Sequence, residues 1–305
     1  MTQHKIILAG ATGSLGRLAA KHLRAQGADV IALVRNSSRS QAIKELKELG
    51  VTVTVVNFSS VDDIARACVG ATCVISALAG LRETIIGTQS NLVDGAIKAN
   101  VPRFIPSDFS IDFTKLAPGT NRNLDARREF HGILAQKPIK VTSVFNGAFT
   151  DMLTGQMPMI LFKLRRILYW GDADQRLQFT TIDNTAHFTA LAALDAASPR
   201  HLHIAGDQLT TRDLASVMTS LTGKSHKLLR AGSLGLLAAM IKIARTLSPQ
   251  EDVLYPPWQG MQYFHNMLSG VTTPDRLDHE RYPGIEWRTA RDVLEEFLAH
   301  PPSVS

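Results

Sequence analysis

Lys5-Ile-Ile-Leu-Ala-Gly-Ala-Thr-Gly-Ser-Leu-Gly16 is the stretch that decides the fold. Its first five residues form an apolar run that reads as a buried parallel strand. Behind the glycines, Leu15, Leu18, Ala19 and Leu23 recur at helical spacing. Gly10 lets the chain turn sharply off the strand, and Gly13 lets the backbone approach a pyrophosphate with no side chain between. Gly16 allows the following helix to pack closely on the sheet. That helix directs its free N–H groups, and the positive end of its dipole, at the phosphates. With Thr12, Ser14 and Leu15 completing the turn, the motif predicts a bound dinucleotide rather than an empty glycine turn.

The end of the second strand chooses the dinucleotide. That strand reads Asp29-Val-Ile-Ala-Leu-Val34 and runs into Arg35-Asn-Ser-Ser-Arg39. An NAD site usually places a carboxylate here for the ribose hydroxyls. This chain has none: Asp29 stands at the wrong end of the strand and the next acid is Glu45. A guanidinium instead makes charge-assisted bonds with a 2′-phosphate. Arg35 is the expected clamp, helped by Arg39 or Lys44, and the expected cofactor is NADP(H).

Strand and helix patterns alternate to about residue 150. Strands are expected at 5–9, 29–34, 51–56, 72–77, 103–106 and 139–145, with helices at 14–26, 39–49, 61–69, 84–99 and 122–136. The alternation predicts an α/β fold, a doubly wound parallel sheet with helices on both faces. Ligands bind such sheets at the carboxyl ends of the strands. Those ends carry Phe58, then Ser76, Ala77 and Leu78, then Ser107, Asp108 and Phe109, and last Asn146, Gly147 and Phe149. Beyond residue 150 the rhythm changes, with a strand pair at 167–170 and 177–179, a helix at 183–197 and a strand at 201–205. Further helices follow: one capped near Thr210, then 234–247 and 289–299. The expected organisation is a nucleotide-binding domain over 1–155 and a smaller α+β substrate lobe over 156–305, interleaved with the first.

The 305 residues are 45% hydrophobic and 20% charged, with a formal charge of +6. The densest basic cluster, Lys163-Leu-Arg165-Arg166, is short and interleaved with aliphatics, so it reads as a solvated face and not a nucleic-acid footprint. The longest apolar stretch, 234–241, is too short to span a bilayer. With no export signal, Cys68 and Cys73 are expected as buried free thiols in a cytoplasmic monomer or homodimer. His201 and His203 share a strand face without a third ligand, so no metal is expected.

Taken together, GATGSLG, Val34-Arg35, Val74-Ile-Ser-Ala-Leu-Ala-Gly80, Arg103-Phe-Ile-Pro-Ser-Asp-Phe109, Asn146-Gly-Ala-Phe149 and Gly171-Asp172 with Thr181-Ile-Asp183 have a counterpart. The chain resembles the NmrA-like and isoflavone-reductase-like branch of the atypical short-chain dehydrogenases over most of its length. The resemblance implies a Rossmann-type fold, with Arg35 and Lys44 holding the 2′-phosphate. It also implies that Ser76 and the strand end before Phe149 lie near the cofactor.

Two departures bear on the chemistry. None of Tyr169, Tyr255, Tyr263 and Tyr282 has a lysine four residues on, so the Tyr-x-x-x-Lys machinery of ordinary short-chain dehydrogenases is missing. The plant reductases of the family use a lysine on the helix before the sixth strand; that place falls around Asp125-Ala-Arg127-Arg128-Glu129, with arginine where the resemblance implies lysine, and Arg127 is the candidate. An arginine stays protonated; it stabilises an anion but does not shuttle a proton. Candidate helpers are His131, one turn further along, and Lys115, in the loop after the fifth strand; each also reads as an ordinary structural or surface residue. The aromatic run 255–264, with Trp258, reads as lobe core or as a pocket wall beside Phe109 and Phe149. The expected activity is NADPH-dependent hydride transfer to a small aromatic or conjugated carbonyl, quinone-like or enone-like. The alternative is a non-catalytic NADP(H)-binding sensor.

Overall fold

The computed structural model describes residues 4–300. The first half alternates β1 (Lys5–Ala9), α1 (Ser14–Ala25), β2 (Asp29–Val34), α2 (Ser40–Glu48), β3 (Thr52–Val55), α3 (Val61–Cys68) and β4 (Cys73–Ser76). It continues through α4 (Gln89–Lys98), β5 (Arg103–Ile105), α5 (Arg122–Leu134), β6 (Lys140–Val141) and β7 (Ser143–Phe145). The first six strands form one parallel sheet in the order β3-β2-β1-β4-β5-β6. The order reverses between β1 and β4, and that reversal opens a crevice at the carboxyl ends of these two strands.

Burial on both faces explains why the strands read as unbroken apolar runs. In β1, Ile6 and Leu8 enter one core with Val30, Ala32 and Phe188, while Ile7 and Ala9 enter the other with Leu33, Val74 and Phe104. The expected strand 139–145 breaks at Thr142. Its second part, β7, leaves β5 and pairs in parallel with β12 (His201–His203), Ser143 opposite His201.

The second half contributes β8 (Ala148–Phe149), β9 (Ile160–Leu161), β10 (Arg166–Trp170), β11 (Leu177–Thr180), α6 (Ile182–Leu194), β12 and β13 (Asp207–Leu209). It closes with α7 (Thr211–Thr222), β14 (Lys227–Gly232), α8 (Leu234–Leu247), α9 (Pro257–Leu268) and α10 (Ala290–Ala299). The expected pairing of 167–170 with 177–179 is corrected here. β10 pairs with β9 and β14, whereas β11 pairs with β8 and β13. Gly171, at φ +73°, turns the chain between them into a separate sheet. Chain order and spatial order diverge further: α6 packs along α1 on the nucleotide sheet, although it follows residue 156.

A third core joins these later elements to the loop after β5, through Phe113, Leu153, Ile167, Phe179, Met218 and Phe264. Cys68 and Cys73 are buried free thiols, pushed up to about 12 by burial. No helix among the described residues is long and apolar enough to cross a membrane.

Candidate functional site

The glycine turn packs against the loop after β4. Gly10 has φ +82°, and a Cβ there would sit 2.4 Å from the Ala77 carbonyl oxygen. A Cβ on Gly16 would sit 2.2 Å from the Gly10 carbonyl oxygen. The third glycine therefore lets the helix close on the turn itself, a tighter approach than the expected helix-to-sheet contact. Gly13 differs: a Cβ would meet only the Gly10 oxygen, at an ordinary 3.5 Å. Gly13 is the N-cap of α1, which has no side-chain cap and no acid in its first turn. By contrast α3, α5, α6, α7, α8 and α10 are capped by Ser60, Asn121, Thr181, Thr210, Ser233 and Thr289. Thr12, Gly13 and Ser14 are exposed and Leu15 half-buried, so the positive helix end faces open space.

At the end of β2, the Arg35 guanidinium lies 5.9 Å from the centre of the Phe58 ring. Two residues picked out on separate strand ends are thus brought together. Arg35 is exposed and forms no ion pair among the described residues, whereas Lys44 is 3.8 Å from Glu48 one turn along α2. Arg39 is the exposed N-cap of that helix.

The loops after β4 and β5 are tied by Ser107. Its hydroxyl donates to the Leu78 carbonyl at 2.6 Å, and its N–H donates to Gln89 Oε1 at 3.0 Å. Arg127, 8% exposed on α5, donates through Nε to the Ser107 carbonyl at 2.9 Å and through Nη1 to that of Asn123 at 3.0 Å. The strand ends also hold orphaned polar atoms. Ser76 Oγ and both amide atoms of Asn146 are buried without a partner, as are Thr150 Oγ1 and Gln178 Nε2. Buried polar groups in native folds are nearly always paired, with protein or with ordered water. Gly147, at φ +68°, has a packing role: a Cβ would sit 2.3 Å from the Gln178 carbonyl oxygen. Ala77, Phe109 and Phe149 are half-buried on these same loops.

The other expected catalytic side chains point elsewhere. His131 Nε2 is 2.6 Å from Oδ2 of the fully buried Asp108, and Ser143 and Arg200 close round the same imidazole. Lys115 donates to the Thr273 carbonyl at 3.1 Å, beside Asp275. Trp258 is 1% exposed; its indole N–H is shared by the carbonyls of Ser248 and Pro249, and Arg122 and Arg245 lie over its ring. It braces the lobe and offers no pocket wall.

A cavity of about 400 Å³ opens beside α5, lined by Gly80, Arg82, Arg122, Asn123, Ala126 and Glu129. An Arg82–Glu129 ion pair bridges it from the loop after β4 to α5. On α9, Gln259 donates to Asn121 at 2.7 Å, Gln262 accepts from the Arg122 N–H at 3.1 Å and Asn266 accepts from Asn121 at 3.1 Å. Tyr263 follows in this series. Its phenol, next to Arg127 and Asn123, is pushed up to about 12, by burial above all. Tyr263 was not singled out from the sequence for this place. The signal was the spacing of Gln259, Gln262, Tyr263 and Asn266, polar groups at i, i+3, i+4 and i+7 inside an aromatic run.

Comparison with known proteins gives a consistent picture. The chain is 24% identical to pinoresinol reductase 1 of Arabidopsis thaliana, over 96% of this chain and 97% of the relative. It is 28% identical to the isoflavone reductase homolog IRL of Zea mays, over 96% and 98% respectively. Among solved structures, AtPrR2 with NADP+ and (+)pinoresinol superposes with a TM-score of 0.82 at 21% identity, covering 97% of this chain and 99% of that one. The NmrA-like family model matches residues 2–246, and the chain belongs to that family.

Proposed function

We propose that this protein is an NADPH-dependent oxidoreductase that reduces a small aromatic or conjugated carbonyl compound, quinone-like or enone-like. The observation that carries the proposal is Arg127, a permanent cation fixed by two carbonyls beside the strand ends, in line with the uncapped α1 and the unpaired Arg35. Support comes from relatives named as a pinoresinol reductase and an isoflavone reductase homolog, and from a similar structure described with NADP+ and (+)pinoresinol.

The N–H groups of Ser14, Leu15 and Gly16 would hold the pyrophosphate, and Arg35 with Phe58 the 2′-phosphate and adenine side. NADPH, when bound, supplies the hydride. Arg127 stabilises negative charge growing on the substrate oxygen, and its supporting carbonyls keep it from reorganising. Tyr263, beside Arg127 and Asn123, is protonated at working pH, as any tyrosine is, and burial only raises its phenol further. A resonance-stabilised product anion takes its last proton from water, so the site needs no side chain that titrates near neutrality. Anaerobic NADPH oxidation with a panel of quinones, enones and aromatic ketones tests the proposal; tight NADPH binding without oxidation of any of them refutes it. That outcome would favour the alternative reading, a non-catalytic cofactor sensor.

A further inference from the structure

Helix α8 is the least covered helix of the second lobe. It presents Leu236 at 48%, Met240 at 39%, Ile243 at 59% and Leu247 at 80% exposure, while Leu237 and Ile241 face the core. The exposed positions fall at intervals of four, three and four residues. This is the 3.5-residue repeat of a helix–helix seam rather than the wider stripe that packs on a globular core. It is also a palindrome. In an antiparallel pair of α8 helices, Leu236 meets Leu247 of the other copy, and Met240 meets Ile243 of the other copy. A two-fold axis requires this self-complementarity, because each residue must find its partner in the same patch.

We propose that α8 is the contact by which two copies of this chain form an antiparallel, two-fold dimer. The four side chains leave on the order of 450 Å² bare per copy, within the size range of functional surface patches. Two copies bury about 900 Å² through the seam alone, just under the ~1,000 Å² of specific interfaces. The dimer is therefore reversible and concentration-dependent. Charge favours a protein partner over a lipid surface. Arg245 is neutralised by Glu251, and the remaining cation, Lys242, lies roughly a third of a turn from the seam. A membrane-binding helix would flank its apolar face with several free cations.

Sedimentation velocity across about 1–100 µM tests the pairing, since reversible self-association follows mass action. The expected mass rises from 33.3 kDa toward twice that value. Ile243→Lys is expected to remain at the lower mass, with unchanged cofactor affinity and with the Tm of the unmodified protein at concentrations where both are monomeric. A disulfide test fixes the register. Leu236→Cys with Leu247→Cys is expected to cross-link two chains on mild oxidation, and Leu236→Cys alone is not. Within one helix those positions are about 16 Å apart, too far for an internal disulfide. A chain that stays monomeric at every concentration overturns the proposal, as does a dimer unaffected by Ile243→Lys. Cross-linking by Leu236→Cys alone refutes the antiparallel register. Binding of the monomer to anionic phospholipid vesicles, lost in Ile243→Lys, reassigns the face to membrane.

Discussion

Arg127 reaches from the middle of α5 to the end of β5, where its Nε–H donates to the Ser107 carbonyl at 2.9 Å. Ser107 in turn donates its hydroxyl to the Leu78 carbonyl at 2.6 Å, so one guanidinium is fixed to two of the loops at the carboxyl edge of the sheet. His131, one turn later, faces away toward Asp108, Ser143 and Arg200. The two side chains share a helix but not a task.

Arg127→Ala is expected to lower kcat by about 10²–10³, the usual loss when one charge-stabilising donor is removed. His131→Ala leaves kcat close to unchanged but destabilises the fold by about 3 kcal/mol, because Asp108 is left buried without its partner. Steady-state NADPH oxidation and thermal melts of both variants separate the two roles. A larger kcat loss in His131→Ala than in Arg127→Ala would make His131 the proton donor.

Arg35 is expected to set cofactor preference. It stands free over Phe58, with no acid near it in the sequence from Asn36 to Lys44. Arg35→Glu removes a charge-assisted bond and adds repulsion, costing about 2 kcal/mol or roughly thirtyfold in NADPH affinity. NADH affinity is expected to hold steady. Calorimetric titration of both cofactors checks this, and equal affinities in the unmodified protein would dismiss the clamp.

Gly13→Val is expected to abolish cofactor binding without unfolding the chain. The added Cβ meets only the Gly10 oxygen at 3.5 Å, so the empty turn accommodates it, whereas the space meant for a pyrophosphate is filled. The readout is the rise in Tm on adding NADPH, which mass action predicts for the unmodified protein. Gly16→Val is the contrasting variant: its Cβ would meet backbone at 2.2 Å, so it is expected to lower Tm even without ligand.

The nucleotide half was legible because its signals are local. An apolar run, a glycine turn and a helical repeat lie within twenty residues of each other, and each backs the same fold. Arg35 and Phe58 were both picked from strand ends, although their contact depends on the parallel pairing of β2 with β3. The second half was harder to read for a topological reason. Strands at 167–170 and 177–179 are neighbours in sequence but find partners up to 62 residues away, and no short-range pattern records that choice. Side-chain direction was equally hidden. Lys115 and His131 have suitable chemistry and suitable positions, yet Thr273 and Asp108 claim them through contacts that only the folded chain creates.

Stability is expected to fall on mild acidification, and the sign follows from three histidines. Burial lowers the pKa of His187, helped by the parallel His22 ring stacked 4.3 Å away; burial also lowers that of His201, helped by Arg200, and that of His265. A depressed imidazole is neutral in the fold at a pH where the unfolded chain has already taken up its proton. Between the folded values and the ordinary 6.5, the unfolded state therefore binds more protons, and stability rises with pH. Above 6.5 both states are neutral at these positions, and their contribution is complete. Tm is expected to be level from about pH 7 to 8 and to decline below about 6.5. Replacing His187 with Gln removes one of the three titrating groups, so the decline becomes shallower while Tm near pH 7.5 changes little. Melting curves of the two proteins at matched ionic strength decide it; an equal or steeper decline in His187→Gln would show that the α1–α6 histidine stack does not control acid sensitivity.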